Sequence, residues 1–385
     1  MKRRSNSALR TLFRTTALLL TPSLIAASAS GIDWLSNGRK SPELSEERSP
    51  AASAYAGSSG QVINSGSELS GSLILSEGYG ISDEAADEPF GVRLVSPLAM
   101  TNPSPGDKPY PTSWGTGGSV VRTTYAPYSG DTFFDLKKGG QVNNKTAVPN
   151  NELIAVSGSL PCFTVTDTAE PQVLIYHTHT CESFEPCVRD EYDPAFNYRT
   201  TDDTKNVVMV GDAIQAELEA QDIGVIHVRT VHDYPSYNGA YDRSRETIVP
   251  ILEKYPSIKV VLDIHRDAIS GDGVIYQPFV SVNGREAAQV MIISGCDDGT
   301  LGMPSYMKNF RFACALQQQL EGDTPGLTRP VLFDYRKYNQ DLTTGSLLIE
   351  VGSHGNTLEQ VQYSGQLIGR SLGRLLNSMK NERKG

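Results

Sequence analysis

The stretch Val173-Leu-Ile-Tyr-His-Thr-His-Thr-Cys-Glu-Ser-Phe184 decides the fold. Its first four residues form an apolar, β-favouring run that reads as a buried strand. The run breaks into His177, His179 and Glu182, three side chains of the kind that bind metals. Two later runs break the same way, Ile258–His265 in a histidine and Ser346–Glu350 in a glutamate. Apolar strands with such groups at their carboxyl ends are expected of an open α/β sheet, where ligands gather outside those ends.

Outward from this stretch, strand-like and helix-like segments alternate. Asn206–Gln221 carries Val207, Val210, Ile214 and Leu218 at helical spacing, and Gly224 stops the helix before a strand at Val225–Val228. Tyr241–Tyr255 reads as a helix with Ile248, Ile251 and Leu252 inward. Val274–Val282 and Ala288–Ser294 read as strands around a turn at Asn283-Gly284. Tyr306–Leu320 is helical, Pro330–Phe333 a strand and Leu358–Met379 a closing helix. Asn356 or Thr357 caps that helix, with Glu359 as the capping-box acid for Asn356. The pattern predicts an α/β fold, a mostly parallel sheet with helices on both faces, in one domain over residues 128–385. Order is expected to begin near Thr132-Phe-Phe-Asp-Leu136.

The first third differs. Lys2, Arg3, Arg4, Arg10 and Arg14 precede an apolar run at Thr15–Ala29, and Ala27-Ser-Ala29 resembles a signal-peptidase site. Residues 1–30 are therefore expected to be a cleaved signal or a retained membrane anchor, with the domain outside the cytoplasm. Residues 31–127, rich in Ser, Gly and Pro, read as a disordered linker. A net charge of −10 without a clustered basic patch argues against nucleic acid. There is no G-x-S-x-G elbow for a serine hydrolase. The five dispersed cysteines suit free thiols, with a local Cys181–Cys187 bridge as the alternative.

The chemistry follows from residue types. Two imidazoles and one carboxylate suit zinc, leaving a further position for water. The simplest ligand set is His179, Glu182 and His265. His177 shares a face with His179 if the strand stays regular, so it is a rival ligand or an outer partner. Asp263, two residues before His265, could orient an imidazole. Glu350, ending a very apolar run, is placed to act as general acid and base. Arg243, Arg245 and Arg266 are candidates for substrate carboxylates.

Several of these segments resemble the stage II sporulation protein P family. They are Val-Leu-Ile-Tyr-His-Thr-His-Thr-Cys-Glu-Ser (173–183), Val-His-Asp-Tyr-Pro-Ser-Tyr-Asn-Gly (231–239), Ser-Arg-Glu-Thr-Ile (244–248), Val-Leu-Asp-Ile-His-Arg-Asp-Ala (261–268) and Ile-Glu-Val-Gly-Ser-His-Gly-Asn-Thr-Leu-Glu (349–359). The resemblance implies an amidase-like fold related to zinc-dependent N-acetylmuramoyl-L-alanine amidases. It implies peptidoglycan as substrate, cleavage of the muramoyl-alanine amide and a second endopeptidase activity on cross-links. It further implies work beside sporulation proteins D and M in the engulfment space. On this chain His179 and His265 match the amidase histidines and Glu350 the catalytic glutamate. Glu182 is taken as the acidic ligand. The alternative reading is a non-catalytic peptidoglycan-binding partner with the same fold.

Overall fold

The computed structural model describes residues 110–382 apart from 112 and 169. The expected signal or anchor segment, and the expected linker up to residue 109, lie outside the described residues. Among the described residues no helix is long and apolar enough to cross a membrane.

The architecture is α/β. An eight-stranded sheet forms from β2 (Phe133–Asp135), β3 (Gln141–Asn144), β4 (Pro171–Tyr176), β6 (Gly224–His227), β7 (Val260–Asp267), β11 (Val290–Cys296), β12 (Val331–Tyr335) and β13 (Ser346–Ser353). Their order is β2-β3-β12-β11-β13-β7-β4-β6. Neighbours run parallel except β2 against β3 and β11 against β13. The expected mostly parallel sheet is therefore present.

Side-chain alternation divides the core. Val173, Ile175, Val260, Leu262, Ile264 and Ile349 point to one face. That face is covered by α2 (Val207–Glu219), α4 (Tyr306–Asp323) and α5 (Leu358–Glu382), with α1 (Asn150–Ser157) packed against α4. Leu174, Tyr176 and Val261 point the other way, onto Ile248 of α3 (Ala240–Lys254). Helices thus lie on both faces, unevenly. Val207, Val210, Ile214 and Leu218 of α2 are all fully buried, each stabilising the fold by about 1.5–3 kcal/mol relative to exposure. Asn206 caps α2, its side-chain oxygen accepting from the Val208 amide at 2.9 Å.

A second sheet runs β10 (Arg285–Ala288), β9 (Val274–Val282), β1 (Gly118–Thr123), β5 (Glu191–Tyr192), with β8 (Ser270–Gly271) also paired to β9. The Asn283-Gly284 turn is present, both residues at positive φ as a tight hairpin demands. Its second strand is β10, and the chain then crosses to β11 in the main sheet, so 288–294 is not the hairpin partner. β1 corrects the expected linker boundary at 127. It pairs in parallel with β9 from Ser119 to Thr123. Only Val120 of its side chains is buried, so backbone pairing rather than an apolar alternation makes it a strand.

Of the two expected caps of α5, Thr357 is the one present, and only the capping-box partner differs from expectation. Thr357 Oγ1 accepts from the Gln360 amide at 3.3 Å, and Gln360 Oε1 accepts from the Thr357 amide at 3.0 Å. The capping box is therefore Thr357 with Gln360, three residues on, and Glu359 is not its acid.

Candidate active site

β13 and β7 pair with Glu350 opposite His265, and β4 and β7 with Tyr176 opposite Asp263. This register fixes the site. β4 ends at Tyr176, and the turn that follows carries His179 and Glu182 over the end of β7.

His179 and His265 meet edge to face, with ring centroids 5.2 Å apart. His265 Nδ1 lies 3.6 Å from Glu182 Oε2, and its Nε2 lies 2.9 Å from Asp263 Oδ1. Asp263 is held in turn by the Thr178 amide at 2.8 Å and the Thr178 hydroxyl at 2.7 Å. Glu182 Oε2 accepts from the Arg266 amide at 3.0 Å. Tyr237 hydroxyl meets His179 Nε2 at 2.7 Å. His179, Glu182, His265 and Glu350 are all buried.

Burial and neighbouring charge push these groups apart. Desolvation holds His179 well below the usual imidazole range. For His265 burial acts in the same direction, but the carboxylates of Asp263 and Glu182 overturn it and raise the ring well above its ordinary value. Burial would raise Glu182, yet His265, Arg266 and His179 hold it low and ionised. Glu350 is pushed up to about 8, first by burial and then by Asp267.

The donor set suits a small divalent cation. His179 Nδ1, Glu182 Oε1 and Glu350 Oε2 are buried without a hydrogen-bond partner. Such atoms are costly when left unsatisfied. Tyr237 stands beside Nε2 of His179, and Asp263 lies 2.9 Å from Nε2 of His265, although that nitrogen too is buried without a well-formed hydrogen bond. The fit is one of residue type: among the described residues no group of three or more His, Cys, Asp or Glu side chains is spaced so that it could hold a metal ion.

His177 does not join this cluster. Its Nδ1 donates to the Ile264 carbonyl at 2.9 Å, and its Nε2 meets His227 Nε2 at 2.8 Å. The strand is not regular beyond Tyr176, so His177 stays under α2 while His179 turns out of the sheet. Gly211 in α2 allows this, since a Cβ there would stand 2.5 Å from His227 Nε2 and 3.0 Å from His177 Nε2. His232 also serves structure, donating from Nδ1 to the His177 carbonyl at 2.7 Å.

The three arginines expected to meet substrate are committed elsewhere. Arg243 donates to the carbonyls of His232, Ser236 and Asn238. Arg245 grips Asp341 with two bonds of 2.8 Å. Arg266 is buried, donating to the Ser183 carbonyl at 2.8 Å and to the Tyr198 carbonyl at 3.3 Å. Arg243 bonds to the loop just before its own helix, whereas distant loops provide the acceptors of Arg245 and Arg266, which the local sequence does not reveal. All five cysteines are free, Cys181 buried and Cys187 exposed. Sequence reasoning assigned no role to Tyr237, Arg199 and Asp233, although the first and last lie in the quoted motif at 231–239.

A family model described as Stage II sporulation protein P matches residues 126–373. The chain is 31% identical over 203 residues to Stage II sporulation protein P of Bacillus subtilis (strain 168), covering 49% of this chain and 47% of that protein. It thus spans about half the length of the curated relative it matches. Among solved structures it is similar to N-acetylmuramoyl-L-alanine amidase AmiC2 of Nostoc punctiforme, at 13% identity and a TM-score of 0.31, covering 54% of this chain and 96% of that one. It is also similar to the CwlD amidase from Clostridioides difficile in complex with the GerS lipoprotein, at 12% identity and a TM-score of 0.35, covering 54% and 99%.

Proposed function

The chain belongs to the stage II sporulation protein P family, and on that premise we propose that it is a metal-dependent peptidoglycan hydrolase acting in sporulation. Its reaction is cleavage of the amide between N-acetylmuramic acid and L-alanine, with peptide cross-links as a second substrate. One observation carries this reading. Side chains from three separated stretches, His179 with Glu182, His265, and Glu350, converge in one buried cluster with polar atoms left unpartnered.

His179, Glu182 and His265 would hold zinc. When bound, zinc supplies a Lewis acid that polarises the amide carbonyl and makes water more acidic. Glu350 moves the proton. Its Oε2 takes one from the attacking water and passes it to the nitrogen of the departing L-alanine amine. Burial raises the carboxyl to about 8, so its ionised form is a stronger base toward water than an ordinary carboxylate, and the acid it becomes can still protonate the departing amine. Asp263 orients His265, and the buried wall around the cluster keeps bulk water from the carboxylates. The N-terminal segment would fix the domain to the membrane, outside the cytoplasm and in the engulfment space. Sporulation proteins D and M would be its partners there.

Mass spectrometry of purified sacculi digested with the zinc-loaded protein tests the reading. Free L-alanine amines on intact stem peptides, with glycan strands stripped of peptide, are expected. Glu350→Ala should lose at least about a hundredfold in rate while keeping stoichiometric zinc. Full activity of that variant, or cleavage of cross-links alone, would overturn the assignment.

A further inference from the structure

Everything N-terminal to residue 114 is joined to the domain through residues 114–124. These residues lie against the loop 184–200, which leaves the turn of His179 and Glu182 and returns to it. Backbone closes the neck of that loop. The Ser183 amide donates to the Tyr198 carbonyl and the Thr200 amide to the Cys181 carbonyl, both at 2.8 Å. Side chains close it again. Glu185 is buried, and its Oε1 accepts from the Tyr198 hydroxyl at 2.6 Å and from Arg189 Nη2 at 2.7 Å. The Arg189 guanidinium lies 3.9 Å from the ring centroid of Trp114, and Trp114 meets Phe196 edge to face at 5.0 Å. Asp193 Oδ2 accepts from the Gly115 amide at 2.7 Å. The carbonyls of Tyr192 and Asp190 accept from the Gly117 and Val120 amides at 2.8 Å.

We propose that residues 114–124 form a releasable strap whose docking holds the 184–200 loop, and with it the turn of Glu182, in place. Its effect on turnover rests on the reading of the buried cluster as catalytic. The strap itself buries little. In β1 only Val120 is buried, and Trp114 is half-buried, so little apolar area opposes local release. Beyond the strap the chain is pinned at two points. Gln289 Oε1 accepts from the Tyr125 amide at 2.7 Å, and its Nε2 donates to the Tyr125 carbonyl at 2.9 Å. Gln141 takes the Tyr128 amide and carbonyl in the same way, at 2.7 and 2.9 Å. Release therefore runs as far as Thr124 and stops there, leaving the main sheet whole. It takes the aromatic face from Arg189 and the β1 partner from β5, and the loop is then held by its neck alone. Docking is also close. A Cβ on Gly118 would stand 2.0 Å from the Gly273 carbonyl oxygen. A pull or a partner acting on the N-terminal part of the chain is thus transmitted to the site through this segment.

Amide hydrogen exchange of the full-length chain tests the strap. Gly118→Ala, whose methyl meets the Gly273 carbonyl, and Trp114→Ala should each speed exchange across 181–200 at least about tenfold. Exchange in β7 and β13 and the urea midpoint should stay as in the wild type. Trp114→Phe keeps an aromatic face for Arg189 and should keep wild-type protection. On purified sacculi the two releasing variants should lose about tenfold or more in kcat. Wild-type protection of 181–200 in both releasing variants would overturn the proposal, and so would a loss of protection that spreads to β7 and β13. Unchanged kcat in a variant whose loop has lost protection would overturn the hold of the strap on the site. A wild-type chain that cleaves no sacculi overturns the catalytic reading, while exchange across 181–200 still decides for or against the strap.

Discussion

His265 shows how the fold surrounds one imidazole with carboxylates. The β7 register sets it opposite Glu350, Asp263 stands behind Nε2 and Glu182 in front of Nδ1. Both carboxylates are buried, so their pull on the ring is weakly screened. That His179, Glu182, His265 and Glu350 come together was legible in sequence because each stretch follows an apolar run, and an abrupt change of polarity survives in the linear chain. The arginines were not legible. A guanidinium is a ready donor to any carboxylate or carbonyl nearby, and which one it meets depends on loops far along the chain. Arg245 illustrates this, since its partner Asp341 lies on a distant loop. Arg245→Ala should leave KM for sacculus fragments unchanged and lower unfolding free energy by about 0.5–1 kcal/mol. A rise in KM without a change in urea midpoint would restore Arg245 as a substrate contact.

At the scale of elements, the parallel strands and long helices were readable because burial writes a period into the sequence. α2 and β7 bury every residue that their period assigns inward, and their positions match expectation within a few residues. β1 carries no such period, and the short β5 and β8 have too few residues to show one. These strands exist because β9 and its neighbours offer backbone partners. Capping is legible to the residue only when reciprocal bonds are known, as Thr357 and Gln360 show. Thr357→Ala should destabilise the fold by about 1 kcal/mol. Urea denaturation would measure the loss, and an unchanged midpoint would mean that the box contributes nothing to α5.

At the scale of the molecule, acid is the condition to which the fold is most exposed. His177 is pushed down to about 3 by burial and by His227. His227 falls to about 4 through burial and Arg229, and His354 to about 3 through burial and Arg266. All three are neutral when folded and gain protons more readily when unfolded. Their stabilisation is complete above about 6.5 and declines as pH falls toward 3–4. Each contributes a slope of up to about 1.4 kcal/mol per pH unit. His265 has the opposite shift and its contribution is already full in that window, while Glu350, raised to about 8 from an ordinary 4.5, gains stability as pH falls and offsets the slope of one of the three histidines. Urea midpoints at pH 7.5, 6.5 and 5 should therefore drop at the last step, and a flat series would contradict the buried neutral histidines. The position of β13 has a consequence for timing. It lies between β11 and β7 and carries Glu350, yet it follows every other strand among the described residues. A growing polypeptide that already contains both histidines still lacks Glu350, the proposed proton carrier, until this last strand is inserted. On the proposed roles, the protein is harmless cargo during synthesis and would become a cutter only once the whole sheet has closed.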